Sequence, residues 1–159
     1  MDLLTGTVSL VQLNNIYLAV SGQDTLMIGQ SSEVKLLKKD GNNLGSFDYA
    51  GIDLPAYCLN DQLRLSQDDS LIEQSQFCIG LKTNQEADYF VLLCQRFEQV
   101  DLTEKNYSMQ EVPVFMRAEK MLTRGMLEYQ NLVYLITSAD RIIDYIASEI
   151  DQKQESKNA

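Results

Sequence analysis

The chain has 159 residues, 13 Lys and Arg against 23 Asp and Glu, and no His, which gives a formal net charge of −10. Without histidine, the Ser-His-Asp and Cys-His catalytic arrangements and histidine metal sites are excluded. The acidic balance argues against nucleic-acid binding, and the 45% of hydrophobic residues suffices for the packed core of one domain.

The N-terminal part of the chain has the pattern of short strands separated by turns. Residues 16–20 form an apolar run, and residues 26–28 follow a polar break at 21–24, which predicts a hairpin. Another strand is predicted at 33–37, before the turn signal Asp40-Gly41.

Two further extended segments, 44–49 and 52–59, are predicted to pivot at Ala50-Gly51, because glycine adopts backbone conformations that a side chain resists. Pro55 lies within the second segment and predicts an edge position or a bulge. Asn60 is predicted to cap one helical turn that ends at Leu65.

After a predicted surface loop at 66–70, a second hairpin is predicted from two apolar runs. Residues 77–81 and 89–94 flank a polar tip. Residues 97–102 then continue in extended or short helical form, and a helix is predicted over 114–121.

The C-terminal part combines a hairpin and a helix. Apolar residues between 127 and 136 flank a turn near Gln130-Asn131. From Ser138, which is a candidate N-cap, apolar residues recur at helical spacing, and Asp140 lies in the first turn, where the helix dipole favours an anion. The last residues predict a frayed tail, so residues 1–150 are interpreted as one domain and 151–159 as a polar tail.

About nine or ten short strands with few helices predict a mainly β fold. That many strand edges in a short chain must be closed or covered, as they are in a sandwich or a pair of barrels.

Cys58, Cys78 and Cys94 lie in apolar runs and form no CxxC pair. They predict buried, reduced thiols in strands, and the odd number of cysteines and the lack of a secretory segment predict a cytoplasmic protein. No apolar run approaches the roughly 20 residues that span a bilayer, so no membrane insertion is expected.

The sequence offers little catalytic chemistry. It has neither a glycine-rich phosphate loop nor a GxSxG nucleophile elbow. Asp68-Asp69 is interpreted as a solvated turn, and Glu98 and Asp101 as ordinary carboxylates of an acidic protein. The chain is therefore predicted to be no enzyme and to bind no cofactor and no metal.

Residues 45–59 resemble the central signature of the CheW family of chemotaxis coupling proteins. Gly45, Gly51, Pro55 and Leu59 fall at the family's spacing. Residues 89–100 are similar to the next family segment, and residues 122–143 to its closing hairpin and helix, with Pro113 at the family's proline between them. In outline the resemblance covers residues 14–150.

Three polar residues of the family pattern are replaced. Ala50 stands where the family has Arg before the second glycine, Cys58 where it has Asp before leucine, and Gln95 where it has Asp after valine. Because an Arg to Ala exchange removes a planar set of hydrogen-bond donors, the pattern indicates a kept fold with an altered interface.

The resemblance implies two small five-stranded β-barrel subdomains that share a hydrophobic core, with a C-terminal helix and no active site. It also implies a cytoplasmic adaptor that couples the cytoplasmic domains of chemoreceptors to a histidine kinase carrying a CheW domain, here a specialised one that could serve pilus-based surface motility. The residues that match the family's binding surfaces are Val34, Leu36, Tyr49, Ala50, Gly51, Phe97 and Glu98.

Two alternative functions come from other classes. A β-barrel of this kind could bind a small molecule or lipid in a mouth lined by tyrosines, and an enzyme could use Asp or Glu with a metal. The tyrosines concerned are Tyr17, Tyr57, Tyr89 and Tyr134. The net charge of −10 predicts salt-sensitive association with a basic partner surface, and weak self-association through an edge strand is also left open.

Overall fold

Runs of apolar and alternating residues place nearly half of the described chain in strands. The computed structural model describes residues 4–36, 44–104, 106–112 and 122–158, and within them twelve strands form two six-stranded sheets. The first sheet contains β1 (Thr7–Leu13), β2 (Ile16–Ser21), β9 (Arg96–Asp101), β10 (Tyr107–Glu111), β11 (Gly125–Tyr129) and β12 (Leu132–Ile136). The second contains β3 (Thr25–Gln30), β4 (Lys35–Leu36), β5 (Gly45–Tyr49), β6 (Ile52–Tyr57), β7 (Phe77–Leu81) and β8 (Phe90–Cys94).

Each sheet combines antiparallel hairpins with one parallel pair. The strand order is β10-β11-β12-β2-β1-β9 in the first sheet and β3-β7-β8-β6-β5-β4 in the second. β12 runs parallel to β2, and β6 runs parallel to β8. The first sheet therefore joins strands from both ends of the chain, while the second is built from the middle.

A shared hydrophobic core lies between the two sheets and the C-terminal helix α2 (Ala139–Asn158). Leu18 of the first sheet, Phe90 of the second and Ile142 of α2 all contribute to it and are at most 1% exposed. Each sheet also encloses a core of its own, around Leu127 in the first and around Phe47 in the second. This arrangement confirms the predicted fold class, with six strands in each sheet where five were expected.

The first hairpin differs from the predicted one. β2 pairs with β1 through a turn at Asn14, whose φ is 58°, and β3 pairs with β7 in the other sheet. The predicted pairing of 16–20 with 26–28 is therefore wrong. The polar residues between these strands form a short 3-10 helix, Gly22–Asp24, which carries the chain from one sheet to the other.

The predicted hairpins at 77–94 and 127–136 are present, as β7 with β8 and as β11 with β12. Gln130 and Asn131 have φ of 52° and 64°, as a two-residue turn between twisted strands requires. The segment at 97–102 is extended, as β9.

Pro55 is in β6, which is an interior strand, and the register of β6 with β5 shows no shift at Pro55, so neither the predicted edge position nor the predicted bulge is present. β8 pairs with β6 at Ala56 and Tyr57, so the proline lies before that pairing begins and disturbs no hydrogen bond to β8. The strand expected at 33–37 begins only at Lys35, since Ser31–Glu33 forms a 3-10 helix before β4, and residue 37 lies outside the described residues. The Asp40-Gly41 turn, Pro113 and the helix at 114–121 lie outside the described residues.

Two polar stretches fold differently from the prediction. Residues 60–65 form a turn and no helical turn, with Leu63 at a φ of 60°. Asn60 still acts as a cap, because its Oδ1 accepts hydrogen bonds from the backbone of Gln62 and Arg64. The predicted surface loop at 66–70 instead leads into the short helix α1 (Asp69–Gln74), which Asp68 caps.

α2 begins where the sequence predicts. The Ser138 hydroxyl accepts a hydrogen bond from the Arg141 backbone N–H at 3.2 Å, and the Asp24 carboxylate accepts one from the Ala139 N–H at 3.0 Å. The helix continues to Asn158, so the predicted fraying from residue 152 is wrong for the described backbone. Among the described helices, none has the length and apolar character needed to cross a membrane.

Polar contacts attach α2 to loops that connect strands of the second sheet. Glu149, whose side chain is 8% exposed, pairs with Arg64 at 3.0 Å. The Tyr145 hydroxyl donates to the Leu63 carbonyl at 2.6 Å. Asp140 accepts a hydrogen bond from the Asn84 backbone N–H at 3.0 Å. The loop after β6 and the tip of the β7–β8 hairpin are thereby tied to the helix.

The three cysteines are free and buried, as predicted. Cys78 and Cys94 are in strands, whereas Cys58 directly follows the end of β6 and is not in a strand. Burial is the main cause that raises the pKa of Cys58 and of Cys78 to about 11, and that of Cys94 to about 12. We expect all three thiols of the folded protein to react very slowly with dithiobis(nitrobenzoic acid) at pH 8, and to react rapidly with it when the protein is unfolded in urea.

The raised thiol pKa values also set the sign of a stability change. Between pH 9 and 11 the unfolded chain binds fewer protons on these groups than the folded one, so their contribution to the free energy of unfolding falls as the pH rises. In a Cys58→Ala variant, the free energy of unfolding should fall less between pH 9 and 11 than it does in the wild type. In the labelling experiment, a fast reaction of any of the three thiols without urea would contradict their burial.

Candidate partner-binding surface

The turn between β5 and β6 is built from two residues with left-handed backbone. Ala50 has a φ of 51° and Gly51 a φ of 86°, which is the conformation that two-residue hairpin turns require. The Asp48 carboxylate accepts a hydrogen bond from the Gly51 N–H at 2.9 Å. The predicted pivot at Ala50-Gly51 is therefore confirmed as a turn.

Apolar side chains continue to the end of this hairpin. Tyr49 lies opposite Ile52 on the same face as the buried pair Phe47 and Leu54. Tyr49 packs against the core of the second sheet, whereas Ile52 is 53% exposed. We call Tyr49, Ala50, Gly51 and Ile52 the hairpin tip.

Carboxylates accompany the hairpin tip. Asp48 and Asp53 lie opposite each other on the other face of the hairpin, and both are exposed. The tip therefore offers an exposed aliphatic side chain beside two negative charges. Such a combination favours a partner with an apolar contact and a basic surface.

Leu36 and Val34 lie at the far end of β5. Leu36 is on the edge strand β4, pairs with Gly45 and is 59% exposed. Val34 is 7% exposed and belongs to the core of the second sheet, so its side chain lies beneath the surface. Gly45 is required here, because a Cβ would overlap the backbone carbonyl of Lys35.

Phe97 and Glu98 lie on the first sheet, apart from the hairpin tip. They are on β9, an edge strand that pairs with β1. Phe97 packs against the shared core. Glu98 lies opposite Leu10, on the face that carries the inner core of the first sheet. The structure thus places the predicted residues in three separate areas.

Glu98 belongs to a cleft of about 290 Å³ at one end of the first sheet. Tyr17 and Tyr134 meet there edge to face, with ring centroids 5.5 Å apart and an angle of 75°. Burial, and next the charge of Glu98, raise the pKa of Tyr134. The residues that line the cleft are Leu10, Val11, Gln12, Tyr17, Arg96, Phe97, Glu98, Gln130, Leu132 and Tyr134.

The mouth of four tyrosines that the sequence suggested is not formed. Tyr17 and Tyr134 are in the first sheet, whereas Tyr57 is in the second and packs edge to face on Phe90. Tyr89 packs against the core inside the second sheet. Within the described ranges, no group of three or more Cys, Asp or Glu residues is placed to hold a metal ion.

The left-handed alanine gives a stability prediction for the hairpin tip. We expect Ala50→Gly to raise the free energy of unfolding by about 0.5–1 kcal/mol, because glycine adopts a positive φ without the steric cost that Cβ imposes. Urea denaturation followed by circular dichroism measures this. Asp53→Gly, in the neighbouring strand, serves as the control and should destabilise. An equal decrease in the free energy of unfolding in both variants would contradict the strain at Ala50.

The fold of this chain is similar to that of solved structures. No family model matches the chain, and no curated protein sequence matches it. Among solved structures, the fold is similar to that of the scaffolding protein TtCheW from Thermoanaerobacter tengcongensis, with a TM-score of 0.57 over 84% of each chain at 10% identity. The likeness shows that the chain has the CheW fold.

Proposed function

We propose that this chain is a non-catalytic adaptor in a bacterial chemosensory pathway. The observation that carries the proposal is the fold, which is similar to that of a scaffolding protein over 84% of both chains. An adaptor needs exposed contact surfaces and no reacting groups, and a chain without histidine is poorly equipped for acid-base catalysis near neutral pH.

The partners in this proposal are the cytoplasmic domain of a chemoreceptor and a histidine kinase that carries a CheW domain. The protein would couple the two in the cytoplasm, and pilus-based motility is one output that such a pathway serves. Leu36, the hairpin tip, Phe97 and Glu98 are the proposed contacts. Val34 would support Leu36 from below, since its side chain is buried.

The replaced residue at the hairpin tip bears on how these contacts are made. Ala50, in place of the family's Arg, has no side-chain hydrogen-bond donor. The tip would therefore bind through Ile52 and through the carboxylates of Asp48 and Asp53. Buried apolar anchors ringed by polar groups carry much of the affinity in protein interfaces. The partner surface is therefore proposed to be apolar at its centre and basic at its rim.

The test uses the tagged full chain and the chemoreceptors and kinases of its own organism. After crosslinking in cells, capture should enrich a chemoreceptor or a CheW-domain kinase, and the purified partner should bind the chain more weakly as the salt concentration rises. A tagged acidic protein of similar size and unrelated fold is the control. If no purified chemoreceptor or kinase binds at concentrations up to about 100 μM, which allows for weak transient contacts, the proposal is wrong.

A further inference from the structure

The cleft at the end of the first sheet contains a carboxylate that the fold does not use. Glu98 is on the edge strand β9, and its carboxylate makes neither a hydrogen bond nor an ion pair with any side chain or backbone group in the described part of the chain. Its side chain is exposed, and it lines the cleft from the edge strand, at the position paired with Leu10.

Aromatic rings stand beside this carboxylate. Tyr17 and Tyr134 form an edge-to-face pair in the same cleft, and Phe97 contributes a third ring to its lining. Tyr134 is 7% exposed and lines the cleft together with Glu98, whose charge contributes to the raised pKa of the Tyr134 hydroxyl. Carboxylates and aromatic rings together bind cations, because both present negative potential.

The size and charge of the cleft restrict the occupant. The cleft volume of about 290 Å³ is just below the range of about 300–1,000 Å³ that is usual for sites of drug-sized ligands. A volume of this size suits one long side chain. The chain carries a net charge of −10, and Arg96 is the one cation among the residues that line the cleft.

We propose that this cleft binds an arginine side chain of a partner protein, with the guanidinium between the Glu98 carboxylate and the rings of Tyr17 and Tyr134. The proposal rests on the proposed function, since the arginine belongs to a partner of the adaptor.

The test is an NMR titration of the full chain with N-acetyl-arginine amide. N-acetyl-citrulline amide is the control, because it has nearly the same shape without the charge. We expect the arginine probe to shift the backbone amide signals of Leu10, Glu98 and Leu132, and to bind about three- to fivefold more tightly than the citrulline probe. Equal affinity for the two probes, or shifts elsewhere only, would overturn the proposal.

Two variants of opposite sign sharpen the test. Glu98→Gln should weaken arginine binding by about three- to fivefold, and Arg96→Gln should strengthen it by about twofold, since each changes one charge at the rim. Unchanged spectra away from the cleft establish that both variants fold. If Arg96→Gln weakens binding of the arginine probe, Arg96 supports the bound cation where repulsion is expected, and the proposal is wrong.

The same variants separate this proposal from the proposed function. If a chemoreceptor or kinase is captured equally by wild type and by Glu98→Gln, the adaptor role stands and the arginine site is refuted. If the arginine probe binds as expected but no chemoreceptor or kinase does, the cleft is supported as an arginine site and the chemosensory role fails.

Discussion

Replacing Phe90 with alanine is expected to lower the free energy of unfolding by about 3–5 kcal/mol. The Phe90 side chain is fully buried in the core shared by both sheets and α2, and its ring lies 6.2 Å from that of Tyr57 in an edge-to-face contact. The substitution removes the ring and leaves a cavity that three structural units would have to fill together. Urea denaturation monitored by far-UV circular dichroism measures the loss.

Two matched variants control the Phe90 experiment. Phe90→Leu keeps most of the volume and should cost only about 1–1.5 kcal/mol. Tyr107→Ala removes a ring that is 39% exposed and should change stability by about 0.5 kcal/mol or less. Because the core is shared, both sheets should unfold in one transition. A loss below about 1 kcal/mol in Phe90→Ala, or separate transitions, would show that the core is not shared energetically.

Local signals explain which elements were predictable. The β7–β8 and β11–β12 hairpins and the start of α2 each depend on residues close in sequence, such as the turn at Gln130-Asn131 and the cap at Ser138. The pairing of β2 was mispredicted because no strand was predicted at residues 7–13, although the turn that joins β1 to β2 at Asn14 is equally local.

The same distinction holds for the candidate site. The turn at Ala50-Gly51 was predictable, because glycine marks a left-handed backbone. Ile52 was not singled out, because nothing in its sequence context distinguishes it from a core isoleucine. Its exposure follows from the parallel pairing of β6 with β8, which involves Ala56 and Tyr57 and leaves the start of β6 uncovered.

The cleft was only partly visible in the sequence. Tyr17, Glu98 and Tyr134 are separated by tens of residues, and they meet because the strand order places β12, β2, β1 and β9 side by side. Glu98 was a predicted contact and the two tyrosines were predicted to line a mouth, but nothing local indicates that they share a cleft. Such a site is a product of sheet topology, which sequence patterns specify weakly.

Replacing Ile52 with aspartate is expected to weaken binding of the chemoreceptor or kinase by about 30-fold or more, the usual effect of losing an apolar anchor at the centre of an interface. Ile52 is 53% exposed at the hairpin tip, between the turn and the acidic pair Asp48 and Asp53, so a third carboxylate would replace the apolar contact. Isothermal titration calorimetry with the purified partner measures the change in Kd.

Val133→Asp is the matched control for Ile52→Asp, because Val133 is a β-branched residue with 52% exposure on the first sheet. Both variants introduce the same charge into an exposed strand position, so their effects on stability should be similar and small. If the hairpin tip is the anchor, only Ile52→Asp should weaken binding of the partner. Equal weakening by both would point to the added charge alone, and no weakening by Ile52→Asp would place the interface elsewhere on the molecule.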